Sequence, residues 1–298
     1  MPRTERLDLT RKIIANMTAE SWRGTPYCAF VYEPEATGFL AVLEEINAGR
    51  GAGETITINT AMLRILAEGI RACPKMNGHI RFRRLLVSGK VTTMENIDVT
   101  MPVMLDAETM MTLNIRGLER KSMDEIRDTV ADSVRRAKNS NMQQVMYEVS
   151  LHDTFTEMKH LHLIRAMGRF LGFWLEGGPK TLLHGAEKRR YNAIPATERL
   201  TRQDLEQGTI AITNPGSLYR GLPRTATLLD IIPPQLVMLA INPVLDRPVV
   251  DRDGALRAGK VLPLTVVYDH RALDASDLVP FVKRLDEIFS APEALKDF

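Results

Sequence analysis

Three runs in the last third of the chain constrain its fold most: "GTIAITN", "QLVMLAIN" and "KVLPLTVVY". Each is rich in Val, Ile, Leu or Thr and lacks the alternation of a half-wetted strand. Near-continuous apolar runs of this kind suit a sheet buried on both faces, or strands at a subunit contact. The third run ends abruptly in "DHRALDASD", which places an imidazole and three carboxylates within the nine residues Asp269 to Asp277.

Helical periodicity appears elsewhere. Leu9, Ile13, Ile14 and Met17 share one face of an amphipathic helix that begins near Asp8 or Thr10. Leu40, Leu43 and Ile46 mark a short helix stopped at Gly49, and Met62, Leu66 and Ile70 mark a stronger one ended by Pro74. Between these segments "TPYCAFVYEPE" reads as a strand. From "GHIRFRRLLVSGKVTT" through "MMTLNIRGLE" the pattern is β-like, with turns expected at Gly89 and Asp106. Ser122 and Glu125 have the spacing of a capping box ahead of Ile126, Val130 and Val134. From about Asn141 to Leu183 a Met-, His- and aromatic-rich segment predicts one or two apolar-faced helices. The last element, "SDLVPFVKRLDEIF", predicts a helix capped by Ser276, with Pro280 in its first turn. The order of elements predicts mixed α/β layers and not a doubly wound parallel sheet.

Composition excludes several classes. The chain has 298 residues, 44% hydrophobic and 26% charged, with a net charge of +2. That is ordinary for a globular protein and too weakly charged to argue for nucleic acid or an anionic membrane as a partner. Local basic runs, "RFRRLL" and "EKRRYN", read as solvated faces. Two cysteines, Cys28 and Cys73, have no metal-ligand spacing and suggest a reducing, cytoplasmic setting. The N-terminus lacks a signal peptide's apolar core, and the most lipophilic stretch, "AMGRFLGFWLEGG", is too short to span a bilayer and carries Arg169. No GxGxxG or GxxxxGK is present, so a nucleotide cradle is not expected. His152, His160 and His162 are the other clustered histidines, but His160 and His162 share a face only on a strand. No metal site is expected.

His270 follows an apolar strand, and Asp274 lies four residues on. A histidine held at a strand end with a carboxylate turned back towards it suits a general base. Taken alone, a histidine beside a carboxylate is more often a structural pair than a catalytic one.

Five segments together resemble the catalytic domain of the 2-oxo acid dehydrogenase dihydrolipoamide acyltransferases, and more distantly chloramphenicol acetyltransferase. Asp269, His270, Arg271 and Asp274 match the family's D-H-R-x-x-D. Pro233, Pro234 and Gln235 match its P-P-Q strand. Gly208, Thr209, Thr213, Asn214 and Gly216 match its G-T-x-x-x-[ST]-N-x-G segment. Arg11, Lys12, Ile14, Ala15, Ser21 and Pro26 match its N-terminal R-K segment, and Pro74 and Asn77 its P-x-x-N turn.

The resemblance implies an α+β fold, a mixed β-sheet with helices packed on one side, assembled as a trimer with active sites between subunits. It implies one catalytic domain over residues 1–298, carrying a helical insertion at about 138–199 and no lipoyl or peripheral subunit-binding domain. It implies acyl transfer between coenzyme A, as substrate, and a dihydrolipoyl-type thiol supplied in trans, with no metal. His270 would be the base and Thr213 the oxyanion donor, a role worth roughly 3 kcal/mol. Asp274 would be structural and paired with Arg11. Asn214 would support the turn that carries Thr213, and Asp269 would be a further supporting residue. Implied partners are further copies forming a trimer or larger cage, and lipoyl carrier or dehydrogenase subunits. The alternatives are a trimeric scaffold without turnover, and an enzyme for a small hydroxyl or amine acceptor. The family has glycine where this chain has Ala275. If that position has positive φ, alanine there costs about 1 kcal/mol.

Overall fold

The computed structural model describes residues 7, 9–104, 110–159, 182–219, 221–251 and 253–298. The chain forms two compact units. The first comprises Met1–Pro102, Ile115–Thr129 and Gln207–Phe298, and the second Val103–Asn114 and Val130–Glu206.

Ten strands are described: β1 (Tyr27–Tyr32), β2 (Gly78–Arg83), β3 (Ser88–Thr93), β4 (Val99–Met104), β5 (Met110–Ile115), β6 (Ile210–Thr213), β7 (Val237–Ile241), β8 (Leu245–Val250), β9 (Leu256–Val261) and β10 (Leu264–Asp269). The helices are α1 (Leu9–Gly24), α2 (Thr37–Asn47), α3 (Ile58–Ala72), α4 (Met123–Lys138), α5 (Met142–Lys159), α6 (Gly185–Ala193), α7 (Arg202–Leu205), α8 (Pro215–Leu218) and α9 (Val279–Ser290).

The first unit's main sheet is mixed, in the order β1-β10-β7-β6-β4, and β5 belongs almost wholly to the second unit's residues. β10 runs antiparallel to both β1 and β7, while β7, β6 and β4 run parallel. Every residue of β10 is buried, as its unbroken apolar run requires. Two separate hairpins, β2–β3 and β8–β9, complete the strands of the first unit.

α3 and α9 pack on each other in this unit. Met62, Leu63, Ile65, Leu66 and Ile70 are buried from α3, and Phe281 and Leu285 from α9. The Thr57 hydroxyl accepts the Thr60 N–H at 3.1 Å and caps α3. The Ser122–Glu125 capping box forms as the spacing predicts, at 2.8 and 3.2 Å.

The second unit holds much of the expected 138–199 segment. Its core gathers Met111, Leu113, Ala137 and Leu200. Arg136 grips Asp204 through two hydrogen bonds, of 2.6 and 3.1 Å. Among the described residues, no helix is long and apolar enough to cross a membrane. His160 and His162, the expected turn at Asp106, and most of the apolar pattern beyond Lys159 lie outside the described residues.

Three local expectations need correction. "KVLPLTVVY" is two strands and not one. β9 ends at Val261, and Leu262 and Pro263 redirect the chain, because proline removes a ladder donor. Gly89 lies inside β3 and is not the hairpin turn. The reversal comes earlier, at Arg84–Val87, and leaves Val87 left-handed at φ 45, ψ 46. A β-branched residue there costs about 1–2 kcal/mol. Finally, Ser276 does not cap the last helix. A 3-10 turn at Ala275–Leu278 intervenes, closed by a capping box between Asp274 and Asp277, and α9 starts at Val279.

Candidate active site

β10 ends on Asp269, whose side chain is buried. Its carboxylate accepts the Arg271 backbone N–H at 2.9 Å, and accepts from the Arg271 guanidinium at 2.9 Å through Nε and 2.5 Å through Nη2. The Asp269 carbonyl accepts the N–H groups of Ala272 and Leu273 at 3.0 and 3.1 Å. These bonds fold residues 269–273 into a tight turn at the strand's end.

His270 sits in that turn. Its backbone N–H donates to Pro26 O at 3.0 Å, which ties it to the start of β1. Its side chain is 47% exposed, and Nδ1 lies 3.4 Å from Asp274 Oδ1. That separation is an ion-pair distance and too long for a strong hydrogen bond. Asp274 is itself fixed, because its N–H donates to Asp277 Oδ2 at 3.0 Å. Asp277 in turn accepts from Lys75 Nζ at 2.6 Å. The Asp274 N–H and the Lys75 ammonium hold the Asp277 carboxyl below its usual range. Lys75 was not singled out from the sequence, although it lies inside the P-x-x-N turn.

Ala275 begins the 3-10 turn, and among the described residues Val87 is the only non-glycine at positive φ. The strain expected of alanine at this position therefore does not arise. A cavity of about 670 Å³ opens beside the loop, lined by Phe30, Tyr268, Ala275, Leu278 and Val282 among others.

The other quoted segments meet in a polar node at the same end of the sheet. Asn77 Nδ2 donates to the carbonyls of Met94 and Asn96, both at 2.8 Å, and its Oδ1 accepts the Thr209 hydroxyl at 2.5 Å. Gly208 N–H donates to the Thr100 hydroxyl at 2.6 Å, and Gly208 O accepts from Gln235 Nε2 at 2.9 Å. A Cβ at Gly208 would meet Asp98 O at 2.2 Å, so only glycine fits.

Thr213 ends β6, half-buried. Asn214 follows it and caps α8. Its Oδ1 accepts the Ser217 N–H at 3.0 Å, and its Nδ2 donates to Asn59 Oδ1 at 2.9 Å. A Cβ at Gly216 would meet Asn242 O at 2.8 Å, so the turn packs as closely as its glycine allows. Pro215 stands in the first turn of α8, where its missing N–H costs nothing.

Thr213 and His270 are not together within the chain. Thr213 pairs with Ala240, and Ala240 with Thr265 of β10, which precedes His270 by five residues. At about 3.3 Å per residue they are separated by roughly 17 Å along the strands. Arg11 lies on an exposed part of α1. Among the described residues, no group of three or more His, Cys, Asp or Glu is placed to hold a metal.

Comparison with known proteins gives this arrangement a family. A structure from Azotobacter vinelandii, dihydrolipoamide acetyltransferase, superposes with a TM-score of 0.65 at 15% identity, covering 99% of this chain and 94% of that one. A probable dihydrolipoamide acetyltransferase from Listeria monocytogenes gives 0.63 at 17%, covering 97% and 94%. At these identities the likeness speaks for the fold. The dihydrolipoyllysine-residue succinyltransferase component of Rickettsia bellii is 33% identical over 97 residues, 33% of this chain and 23% of that protein. The acetyltransferase component of the Bacillus subtilis acetoin cleaving system is 31% identical over 116 residues, 39% and 28%. The matches thus span about a quarter of these relatives' length. The family model for the 2-oxoacid dehydrogenases acyltransferase catalytic domain matches residues 2–149 and 186–296, on both sides of a stretch within the expected insertion. The chain therefore belongs to the 2-oxoacid dehydrogenase acyltransferase (catalytic domain) family.

Proposed function

We propose that this protein transfers an acyl group between coenzyme A and a dihydrolipoyl-type thiol. One observation carries the reading: an exposed imidazole, held by its backbone to β1 and facing Asp274, ends a buried strand in a chain of this family. An Nδ1–H facing the carboxylate leaves the Nε2 lone pair free. Nε2 takes the proton of the incoming thiol as its sulfur bonds to the thioester carbonyl carbon. The carbonyl oxygen becomes an oxyanion, which accepts a hydrogen bond from the Thr213 hydroxyl. Collapse breaks the original carbon–sulfur bond, and the imidazolium returns the proton to the departing thiolate. Asp269 with Arg271, and Asp274 with Arg11, position the histidine loop. Asn214 positions Thr213.

Because Thr213 and His270 occupy opposite ends of the sheet, the complete site is assembled from two copies. A closed trimer of such head-to-tail contacts satisfies every site, and larger cages build on it. One related structure is the cubic core of a pyruvate dehydrogenase multienzyme complex. The Azotobacter enzyme was solved to study a serine, a histidine and an asparagine in its mechanism. A lipoyl carrier and dehydrogenase subunits in trans are the proposed partners. The free thiols of Cys28 and Cys73 fit a reducing compartment such as the cytoplasm.

The test is transfer from acetyl- or succinyl-coenzyme A to dihydrolipoamide. The His270→Ala variant should lose about 10²–10⁴-fold in rate, the usual worth of a general base. Absence of transfer by the wild type with every acyl donor refutes the reading in favour of the scaffold.

A further inference from the structure

The run "EKRRYN" reads in the sequence as a solvated face, and Lys188 and Arg189 are exposed accordingly. Arg190 and Tyr191 have a further place. They line a cavity of about 410 Å³ inside the second unit, bounded by the end of α4, the start of α5 and the C-terminal half of α6. Leu183 and Ile194 supply apolar walls. Leu183 lies in the stretch that the family model leaves unmatched, between residues 149 and 186.

Tyr191 is 6% exposed, and its hydroxyl, sealed from solvent, has no hydrogen-bond partner. The Arg199 guanidinium lies 4.8 Å from the ring centroid, and Arg199 Nε donates to Ile194 O at 3.1 Å, which fixes the ring in place. Buried hydroxyls are nearly always paired, so an orphaned one on a residue that lines a cavity points to a partner that binds there.

The other polar groups define that partner. Lys138 and Arg190 both line the cavity, and among the described residues neither has an ion-pair partner. Asn141 caps α5 through Oδ1, which accepts the Gln144 N–H at 3.0 Å, and its Nδ2 hydrogens remain for a ligand. The N–H groups in the first turn of α5 add positive potential at that end. Glu187 is the one carboxylate of the lining, which therefore keeps a net positive charge. An ammonium, a guanidinium, an amide and a phenol drawn from separate segments are donors suited to a tetrahedral oxyanion.

We propose that this cavity binds a small organic phosphate, with the phosphoryl group among Lys138, Asn141, Arg190 and the Tyr191 hydroxyl, and the carbon body between Leu183 and Ile194. The volume is that of a small-molecule site, and a bare phosphate has no use for apolar walls. The proposal does not rest on acyl transfer.

The experiment titrates the full chain calorimetrically with phenyl phosphate, inorganic phosphate and phenol, and follows thermal melting alongside. Phenyl phosphate should saturate one site per chain and raise the melting temperature. Inorganic phosphate, which leaves the apolar walls bare, should bind about tenfold more weakly, and phenol should not bind measurably. Lys138→Gln and Arg190→Gln should each weaken phenyl phosphate about tenfold. Both side chains are exposed, so the fold should survive. Tyr191→Phe removes the hydroxyl alone. It should weaken phenyl phosphate to a similar degree and leave the melting temperature of the unliganded protein unchanged or raised, because no internal bond is lost. A drop in that temperature would show that the hydroxyl serves the fold, and would overturn the inference. So would the absence of saturable phenyl phosphate binding at millimolar concentration, or binding that all three variants keep. Equal affinity for inorganic phosphate would overturn the organic ligand, and equal affinity for phenol the phosphate.

Discussion

Asp269 and Arg271 form a closed fork at the end of β10, with the carboxylate 1% exposed and the guanidinium side chain 23%. The same carboxylate also takes the Arg271 backbone N–H, so one buried group sets both the ion pair and the turn. Breaking such a pair from one side leaves an uncompensated charge. Asp269→Asn should cost about 3–5 kcal/mol. Urea unfolding should show a lower midpoint with an unchanged slope, and transfer should fall because His270 stands inside the loosened turn.

Asp274 has two tasks that substitutions can separate. It faces His270, and its side chain and backbone both serve the capping box with Asp277. Asparagine keeps a capping oxygen and a neutral contact for the imidazole. Alanine removes both. Asp274→Ala should cost about 1 kcal/mol in stability through the cap. Its rate should fall by up to about 100-fold through a misplaced base, with Asp274→Asn intermediate. Equal rates in the two variants would assign Asp274 to the turn alone. Arg11→Ala, if Arg11 acts through Asp274, should add little to the Asp274→Ala loss.

Much of the candidate site's local layout is legible in the sequence because its residues come in short, contiguous motifs. Asp269, His270, Arg271 and Asp274 occupy one turn, and Thr213, Asn214 and Gly216 another. What the sequence concealed was long-range. That Thr213 is level with Thr265 depends on the pairing of three strands, which no local pattern encodes. Lys75 reaches Asp277 across about two hundred residues of chain, and a lone lysine carries no signal of that. The misplaced cap at Ser276 was a competition between neighbours. Asp274 closes a box with Asp277 and starts a 3-10 turn first, and serine has no partner that can outbid two mutual bonds. The single strand read through "KVLPLTVVY" failed at Pro263, where hydrophobicity continued but hydrogen bonding did not.

Asp204 makes the second unit sensitive to acid. Burial pushes its carboxyl up, but the Arg136 guanidinium and the Thr201 N–H and hydroxyl outweigh this and hold it below the usual carboxylate range. A depressed folded-state pKa means that the stabilisation is fully present above the unfolded value, about 3.9, and is lost as pH falls through the folded value. Asp204→Asn should therefore cost about 1–3 kcal/mol near neutral pH, the usual loss for a charged hydrogen bond. The deficit should shrink as pH falls below 4. Thermal melts of both proteins across pH 2–7 check this. A deficit that does not change with pH would deny the carboxylate its role.

The separation of Thr213 from His270 yields the sharpest prediction. If each site takes its histidine from one copy and its threonine from the next, two defective proteins can repair each other. Thr213→Ala alone should lose about 10²–10³-fold in turnover, as removal of one oxyanion donor does. His270→Ala alone should be still slower. When the two are unfolded together in equal amounts and refolded, copies mix at random. A site is intact only when its histidine comes from a Thr213→Ala copy, one chance in two, and its threonine from a His270→Ala copy, again one in two. About a quarter of wild-type activity should return, far above either parent. Thr213→Ser, which keeps the hydroxyl, should retain most turnover by itself. If the mixture shows only the average of its parents, the two residues do not share a site across copies. The roughly 17 Å that divides them within one chain would then exclude Thr213 as the oxyanion donor for His270.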